Sequence, residues 1–369
     1  MQAVDALLIR ATQEGALPGA VLCVGVGSQL VWQRAYGAAA LVPAWRPMHC
    51  DTLFDVASLT KVVATTSLVL LACHHGLCQL DDPLRRFLPV PAPLGNVTLR
   101  QLLAHSGGLA AWLPLYRWLL PHGPQPCTAS QARLRLQQAV AHIAATPLAY
   151  CPGTEVRYSD LGFILLGAVL EAVYAQTLDR LFIAHVACPL GLRATAYRPL
   201  YGPSPLPESP QAYAATEACP WRGRVLAGEV HDENAWALGG VAGHAGLFAT
   251  AADLWRFATA LLEAAAGRHD WLPAPLVRLS WQRQAPGSTR ALGWDTPSPG
   301  QSSAGELFSP QSVGHLGFTG CSLWLDPCRG VSVVLCTNRV HPHRQNPVLA
   351  HLRPQVHNLV MRALGVSAP

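Results

Sequence analysis

Charge is scarce in this chain: 13% of its 369 residues are Asp, Glu, Lys or Arg, against a hydrophobic fraction of 50%. That balance excludes a self-repelling disordered chain and supplies enough apolar material for a large buried core. Basic clusters are missing too. The formal net charge is +5, but the 26 basic residues are almost all Arg and are scattered singly, which argues against nucleic acid as a partner. No CxxC pair or metal-finger spacing joins the eleven cysteines, most of which lie in apolar runs and read as reduced, buried thiols. The longest apolar stretch, Val62 to Cys73, is broken by Thr65, Thr66 and Ser67 and falls short of the about 20 residues that span a bilayer. Residues 1–25 carry Asp5 and Glu14 in place of a basic start and an unbroken apolar core, so they do not read as a signal peptide. The expectation is a cytoplasmic protein, or a periplasmic one if the true start lies upstream.

The length suits two packed lobes around one cleft, because single cores stop growing near about 250–300 residues. Val4, Leu7, Leu8 and Ala11 recur at helical spacing until Pro18-Gly19, and two strand-like runs follow, Ala20 to Val26 and Gln29 to Tyr36. The far end mirrors this, with strand-like Ser322 to Leu325 and Val331 to Thr337 flanking a turn, then a helical stretch from Asn346 to Leu364. Between the ends the periodicity predicts helices over 59–75, 98–105, 129–145, 160–174, 178–187 and 251–265. Pro-rich segments at 201–210 and 294–299 read as surface loops. The expected fold class is α+β: an antiparallel sheet flanked by helices, formed by residues 1–60 and 280–369, with a mainly helical lobe over 61–279 and the active site between them.

No Gly-x-Ser-x-Gly elbow occurs, so an α/β-hydrolase nucleophile is missing. Ser58-Leu59-Thr60-Lys61 is present instead, at the start of a helix apolar around most of its surface. A helix N-terminus favours a developing anion, and Lys61 lies three residues on, on the same face. Serine is a poor nucleophile at its own pKa, and a lysine beside so apolar a helix would lose its proton more easily and act as base. Ser58 alone reads equally well as a helix cap, and Tyr158 alone as a cap on the helix that follows it. His105-Ser106-Gly107-Gly108 reads as a helix-ending turn with left-handed glycines.

Tyr158-Ser159-Asp160 and His315-Leu316-Gly317 follow Ser58 and Lys61 in order, with Pro152-Gly153 ahead of Tyr158. In these elements, and in Leu17-Pro18-Gly19-Ala20 and the Leu102 to Leu109 segment, the chain resembles the serine β-lactamase and penicillin-binding-protein superfamily. The resemblance is to the branch of class C β-lactamases, D,D-peptidases and esterases. It implies that Ser58 is acylated, that Lys61 activates it, and that Tyr158 relays the proton to the leaving group. It implies an oxyanion site built from the backbone N–H groups of Ser58 and Phe318, with Gly317 bare so that no side chain blocks the substrate. Two positions depart from the pattern. His315 stands where class C enzymes carry Lys, and it would still donate a hydrogen bond and carry charge at lower pH. Asp160 stands where Asn is usual; a carboxylate only accepts, and it would hold Lys61 protonated more strongly.

Glu229, His231, Asp232 and His244 lie in a segment dense in Gly, His and carboxylates. Their spacing matches no standard zinc motif, and the segment reads as lining the cleft near Ser58, so neither metal nor cofactor is expected. The expected function is hydrolysis of a small-molecule ester, a D-amino-acid peptide derived from peptidoglycan, or a β-lactam. Esters and peptides are favoured by the two departures. The alternatives are a β-lactamase proper and a catalytically silent peptidoglycan-binding relative. The oligomeric state is left open.

Overall fold

Residues Gly19–Val26 form a strand buried on both sides, and their alternation sorts two cores. Ala20, Leu22 and Val24 share one with Val333 and Leu335, with Val4 and Leu8 of helix Gln2–Gln13 and with Val356 and Val360 of helix Leu349–Ala363. Val21 and Cys23 face the other way, into a core holding Leu254 and Phe257 of helix Ala251–Ala265. Burial pushes the Cys23 thiol up to about 12, so it is an inert packing group. The computed structural model describes residues 1–125 and 127–366.

Both chain ends meet in a six-stranded antiparallel sheet, in the order Arg46–Pro47, Gln29–Ala40, Gly19–Val26, Val331–Thr337, Ser322–Asp326 and Val313–Leu316. Ala20 pairs with Thr337 at one end of the central ladder and Val26 with Val331 at the other. The strand bearing His315 sits at the sheet's far side, His315 opposite Leu323. Helices Ala129–Ala145 and Asp160–Tyr174 have the expected bounds, and the second buries ten consecutive residues from Leu161 to Leu170. The architecture is the α+β arrangement expected.

Three features differ from the sequence reading. Helix Ala251–Ala265, expected in the helical lobe, packs on the large sheet through its Leu254, Phe257 and Leu261 face, so the α/β lobe draws on residues before 280. A small sheet of Thr195–Tyr197, Leu247–Ala249 and Phe54–Asp55 crosses the middle segment; strands of two or three residues leave no period to read. Residues 294–299 do not all lie at the surface: Trp294 and Thr296 are buried, and Asp295 exchanges two backbone hydrogen bonds with Gly314, at 2.8 and 2.9 Å, alongside the His315 strand.

The nucleophile helix is held against the turn 239–246. Its Thr65 Oγ1 donates to Gly243 O at 2.6 Å, and on Gly243's other side a Cβ would collide with Phe163 O and stand 3.0 Å from Gly167 N. Gly243→Ala is therefore expected to lower stability in urea denaturation by about 1–3 kcal/mol, the usual cost of overpacking. An unchanged midpoint and slope would contradict this packing account.

Candidate active site

Ser58 lies at the end of a strained turn. Strand Phe54–Asp55 leads into Ala57, whose φ of +46° is the left-handed region that side chains disfavour, and residues 59–74 are helical. Asp55 holds this turn. Its buried carboxylate accepts from Ala57 N at 2.8 Å and from His231 N at 2.6 Å, and its carbonyl accepts from Thr319 Oγ1 at 2.7 Å. One residue thus ties the nucleophile, the His231 segment and the loop after the His315 strand. Burial raises its pKa, opposed by the two N–H donors. The sequence reading missed Asp55 because nothing local distinguishes it; two of its three partners are 176 and 264 residues away.

The helix that begins at Leu59 does not stay α-helical. Lys61–Thr66 is a π-helical turn, followed by α-helix Ser67–His74. Ser67 Oγ donates five residues back to Val62 O at 3.0 Å, and Thr65 is bound outward to Gly243, so the hydroxyls that interrupt the apolar run belong to a widened turn.

Lys61 is the only lysine in the sequence, and its side chain is fully buried. Three oxygens surround Nζ. It donates to Ser58 Oγ at 2.9 Å and to His244 O at 3.1 Å, and Asp160 Oδ1 lies 2.7 Å away as an ion pair. Burial favours the neutral amine, but Asp160 and Tyr158 oppose it and the net direction is upward. That direction favours the ammonium over the free amine that burial alone would give, and Nζ donates toward Ser58 Oγ.

Tyr158 stands among cations and neutral imidazoles. Its ring centroid is 5.0 Å from Lys61 Nζ, 5.0 Å from Arg290 Cζ, 4.5 Å from the His105 ring and 6.0 Å from the His315 ring. It does not cap the next helix; Ser159 holds that position, without a side-chain capping bond. His105 itself, at φ +58°, takes the left-handed conformation expected of Gly107, and its Nδ1 accepts from Ser159 N at 3.1 Å. Gly108 is left-handed as expected, at φ +80°.

His315 is buried. A carbonyl only accepts, so Nδ1, 2.9 Å from Leu316 O, carries the hydrogen and leaves Nε2 with no partner among the described residues. Burial, with Lys61 and Arg290 nearby, pushes its pKa well below the ordinary histidine range, so protonation of His315 is displaced to lower pH than for a free imidazole. Gly317 has a requirement within the protein itself: a Cβ there would collide with Val56 O, so its bareness lets the strand approach the nucleophile turn. Neither Ser58 N nor Phe318 N donates to a protein acceptor among the described residues, and both residues line one cavity of about 1090 Å³.

That cavity is also lined by Tyr158, Asp160, His231, Asp232 and Arg290. His231 Nε2 pairs with Glu217 at 3.1 Å and His244 Nε2 with Asp232 at 2.9 Å, so the two histidines engage different carboxylates. Burial alone would raise the Asp232 pKa, but His244, Ala235 N–H and Lys61 hold it well below the usual carboxylate range. Glu229 pairs with Arg224 at 2.8 Å, away from the serine. Asp160→Asn removes the anion that stabilises the Lys61 ammonium. The rising limb of the acylation pH profile is expected to move to lower pH, with amide substrates gaining about tenfold over esters from the restored N–H donor. An unmoved limb with equal or lower amide turnover would reject this account of the pair.

The chain is similar to known proteins over most of its length. The family profile described as Beta-lactamase matches residues 4–358. A protein of Escherichia coli (strain K12) named "Putative D-alanyl-D-alanine carboxypeptidase" is 32% identical over 366 residues, covering 89% of this chain and 80% of its own. Among solved structures, EstCE1, a hydrolase with promiscuous acyltransferase activity, superposes with a TM-score of 0.73 at 23% identity, over 96% of this chain and 98% of its own. A class C β-lactamase from Rhodobacter sphaeroides gives 0.69 at 19% identity, over 97% and 100%. With a family match running from residue 4 to residue 358, the chain belongs to the β-lactamase family.

Proposed function

We propose that this protein is a serine hydrolase that forms an acyl-enzyme at Ser58 and acts on small esters or on D-amino-acid peptides derived from peptidoglycan. The observation that carries the reading is Lys61 Nζ donating to Ser58 Oγ at 2.9 Å in a cavity also lined by Phe318, with the backbone N–H groups of Ser58 and Phe318 bound to no protein acceptor among the described residues. Ser58 Oγ attacks the substrate carbonyl, and the N–H groups of Ser58 and Phe318 take the charge that develops on its oxygen. Lys61, already an ammonium, contributes charge and alignment. Tyr158 takes the serine proton and returns it to the leaving group, and water then cleaves the acyl-enzyme by the reverse relay.

The surroundings support this substrate class. The cavity is large enough for a peptide, and the exposed Trp112 and Phe318 offer apolar walls beside the serine. Asp160 accepts but does not donate, and His315 is neutral, which favours an ester or a carboxyl-terminal amide bond over rapid β-lactam turnover. The names of the carboxypeptidase relative and the hydrolase EstCE1 support the same class. Action in the cytoplasm belongs to this proposal, and the eleven free cysteines suit a reducing compartment.

A fluorescent penicillin and a fluorophosphonate test the acyl-enzyme. One or both are expected to label the wild type and neither to label Ser58→Ala, which should also lose at least about a thousandfold in ester turnover. p-Nitrophenyl esters and D-Ala-D-Ala peptides are expected to turn over faster than nitrocefin. Folded wild type that takes up neither probe would favour the silent binding relative, and nitrocefin turnover above that of esters and peptides would favour a β-lactamase proper.

A further inference from the structure

Tyr158 can take the Ser58 proton only as a phenolate, and a phenol ordinarily ionises near pH 10, so the anion needs positive charge close by. Lys61 supplies less than its proximity suggests. Its charge is shared with Asp160 at 2.7 Å, and Asp232, on the far side of the His244 turn, adds a second negative charge to the same surroundings. The two imidazoles nearest the ring supply none: His105 and His315 are both buried and both pushed well below the ordinary histidine range. Lys61 being the chain's only lysine, further charge must come from arginine.

Arg290 is the arginine that meets the requirement. Its Cζ lies 5.0 Å from the Tyr158 ring centroid, and its side chain lines the cavity that holds Ser58. Its only ion-pair partner among the described residues is Asp295, at a loose 3.7 Å. The backbone fixes it there: residues 290 and 295 form an antiparallel bridge, and Asp295 in turn pairs with Gly314 next to His315. The other arginines on the cavity wall are engaged elsewhere, Arg344 with Glu217 and Glu233, Arg339 with the carbonyls of Arg344 and Asn346, and Arg353 with Gly320 O.

We infer that Arg290 is the second cation of the Tyr158 site, a positioning residue whose charge beside the ring assists the tyrosine oxygen in accepting the Ser58 proton. The inference rests on the acyl-enzyme reading above. No step changes: the proton passes from Ser58 Oγ to Tyr158 Oη and on to the leaving group, and Arg290 gains and loses nothing. What it sets is the pH at which the relay is ready. Asp295 counts against it, which gives the account a second lever of opposite sign.

The test is the pH profile of kcat/KM for p-nitrophenyl acetate, an uncharged substrate that has no anion for an arginine to bind. In Arg290→Gln the rising limb is expected to move up by about one pH unit, with about a tenfold loss at pH 7 and little change in KM. Arg290→Lys should restore the limb to near its wild-type position. Asp295→Asn should move it down, because Arg290 then acts unopposed. An unmoved limb in Arg290→Gln, with the loss confined to KM, would overturn the inference, as would Arg290→Gln and Asp295→Asn moving the limb in the same direction. Those results in a wild type that acylates normally remove only the role of Arg290, whereas a wild type that never acylates removes the proposed function and this inference with it.

Discussion

A buried ammonium with a carboxylate at contact distance governs this structure. Taking two charges out of water costs several kcal/mol each, and their attraction repays that only when geometry and further hydrogen bonds are favourable. Lys61 meets the condition through the pair with Asp160 and through donation to Ser58 Oγ and His244 O. Each partner comes from a different segment: the nucleophile turn, the first turn of helix Asp160–Tyr174, and the glycine-rich turn before strand Leu247–Ala249. The helical body therefore has to bring three segments to one nitrogen, and the close approach at Gly243 and the π turn at Lys61–Thr66 are where the backbone adjusts to do so.

The same pair decides what the lysine does. An amine poised to lose its proton would be a base; an ammonium beside Asp160 is a positive charge that donates toward the serine. In the proposed mechanism proton traffic then falls to the tyrosine, which has two imidazoles and an arginine beside it as well as Lys61. Asp55 carries the mechanical side. By holding Ala57 and His231 through its carboxylate and Thr319 through its backbone carbonyl, it joins the serine turn to the loop that presents Phe318, so the placement of both proposed oxyanion donors depends on one residue.

Much of this was legible in the sequence, and the boundary of legibility is physical. Long apolar segments were readable because burial marks them: Gly19–Val26 and Val331–Thr337 are short, nearly continuous apolar runs, and Asp160–Tyr174 is long enough to read as a buried helix. Ser58, Lys61, Tyr158, Asp160, His315 and Phe318 were readable as short ordered motifs, and they line or adjoin one cavity. Electrostatic states were less accessible. That Asp160 would hold Lys61 charged follows from residue types, but the neutrality of His315 depends on burial and on Arg290, 25 residues earlier in the chain. Asp55 and Arg290 act through contacts that no local pattern encodes, and the short strands around Leu247–Ala249 are too brief to carry a period.

The central claim is that Lys61 rests as an ammonium held by Asp160, and the chain's single lysine makes it directly measurable. Protein carrying [ε-13C]lysine should show one lysine side-chain signal, whose shift reports the charge on Nζ as pH is raised. The account predicts an ammonium signal that persists above the ordinary lysine range in the wild type and titrates at lower pH in Asp160→Asn. A wild-type signal already that of a neutral amine near pH 7 would contradict it and return the role of base to Lys61.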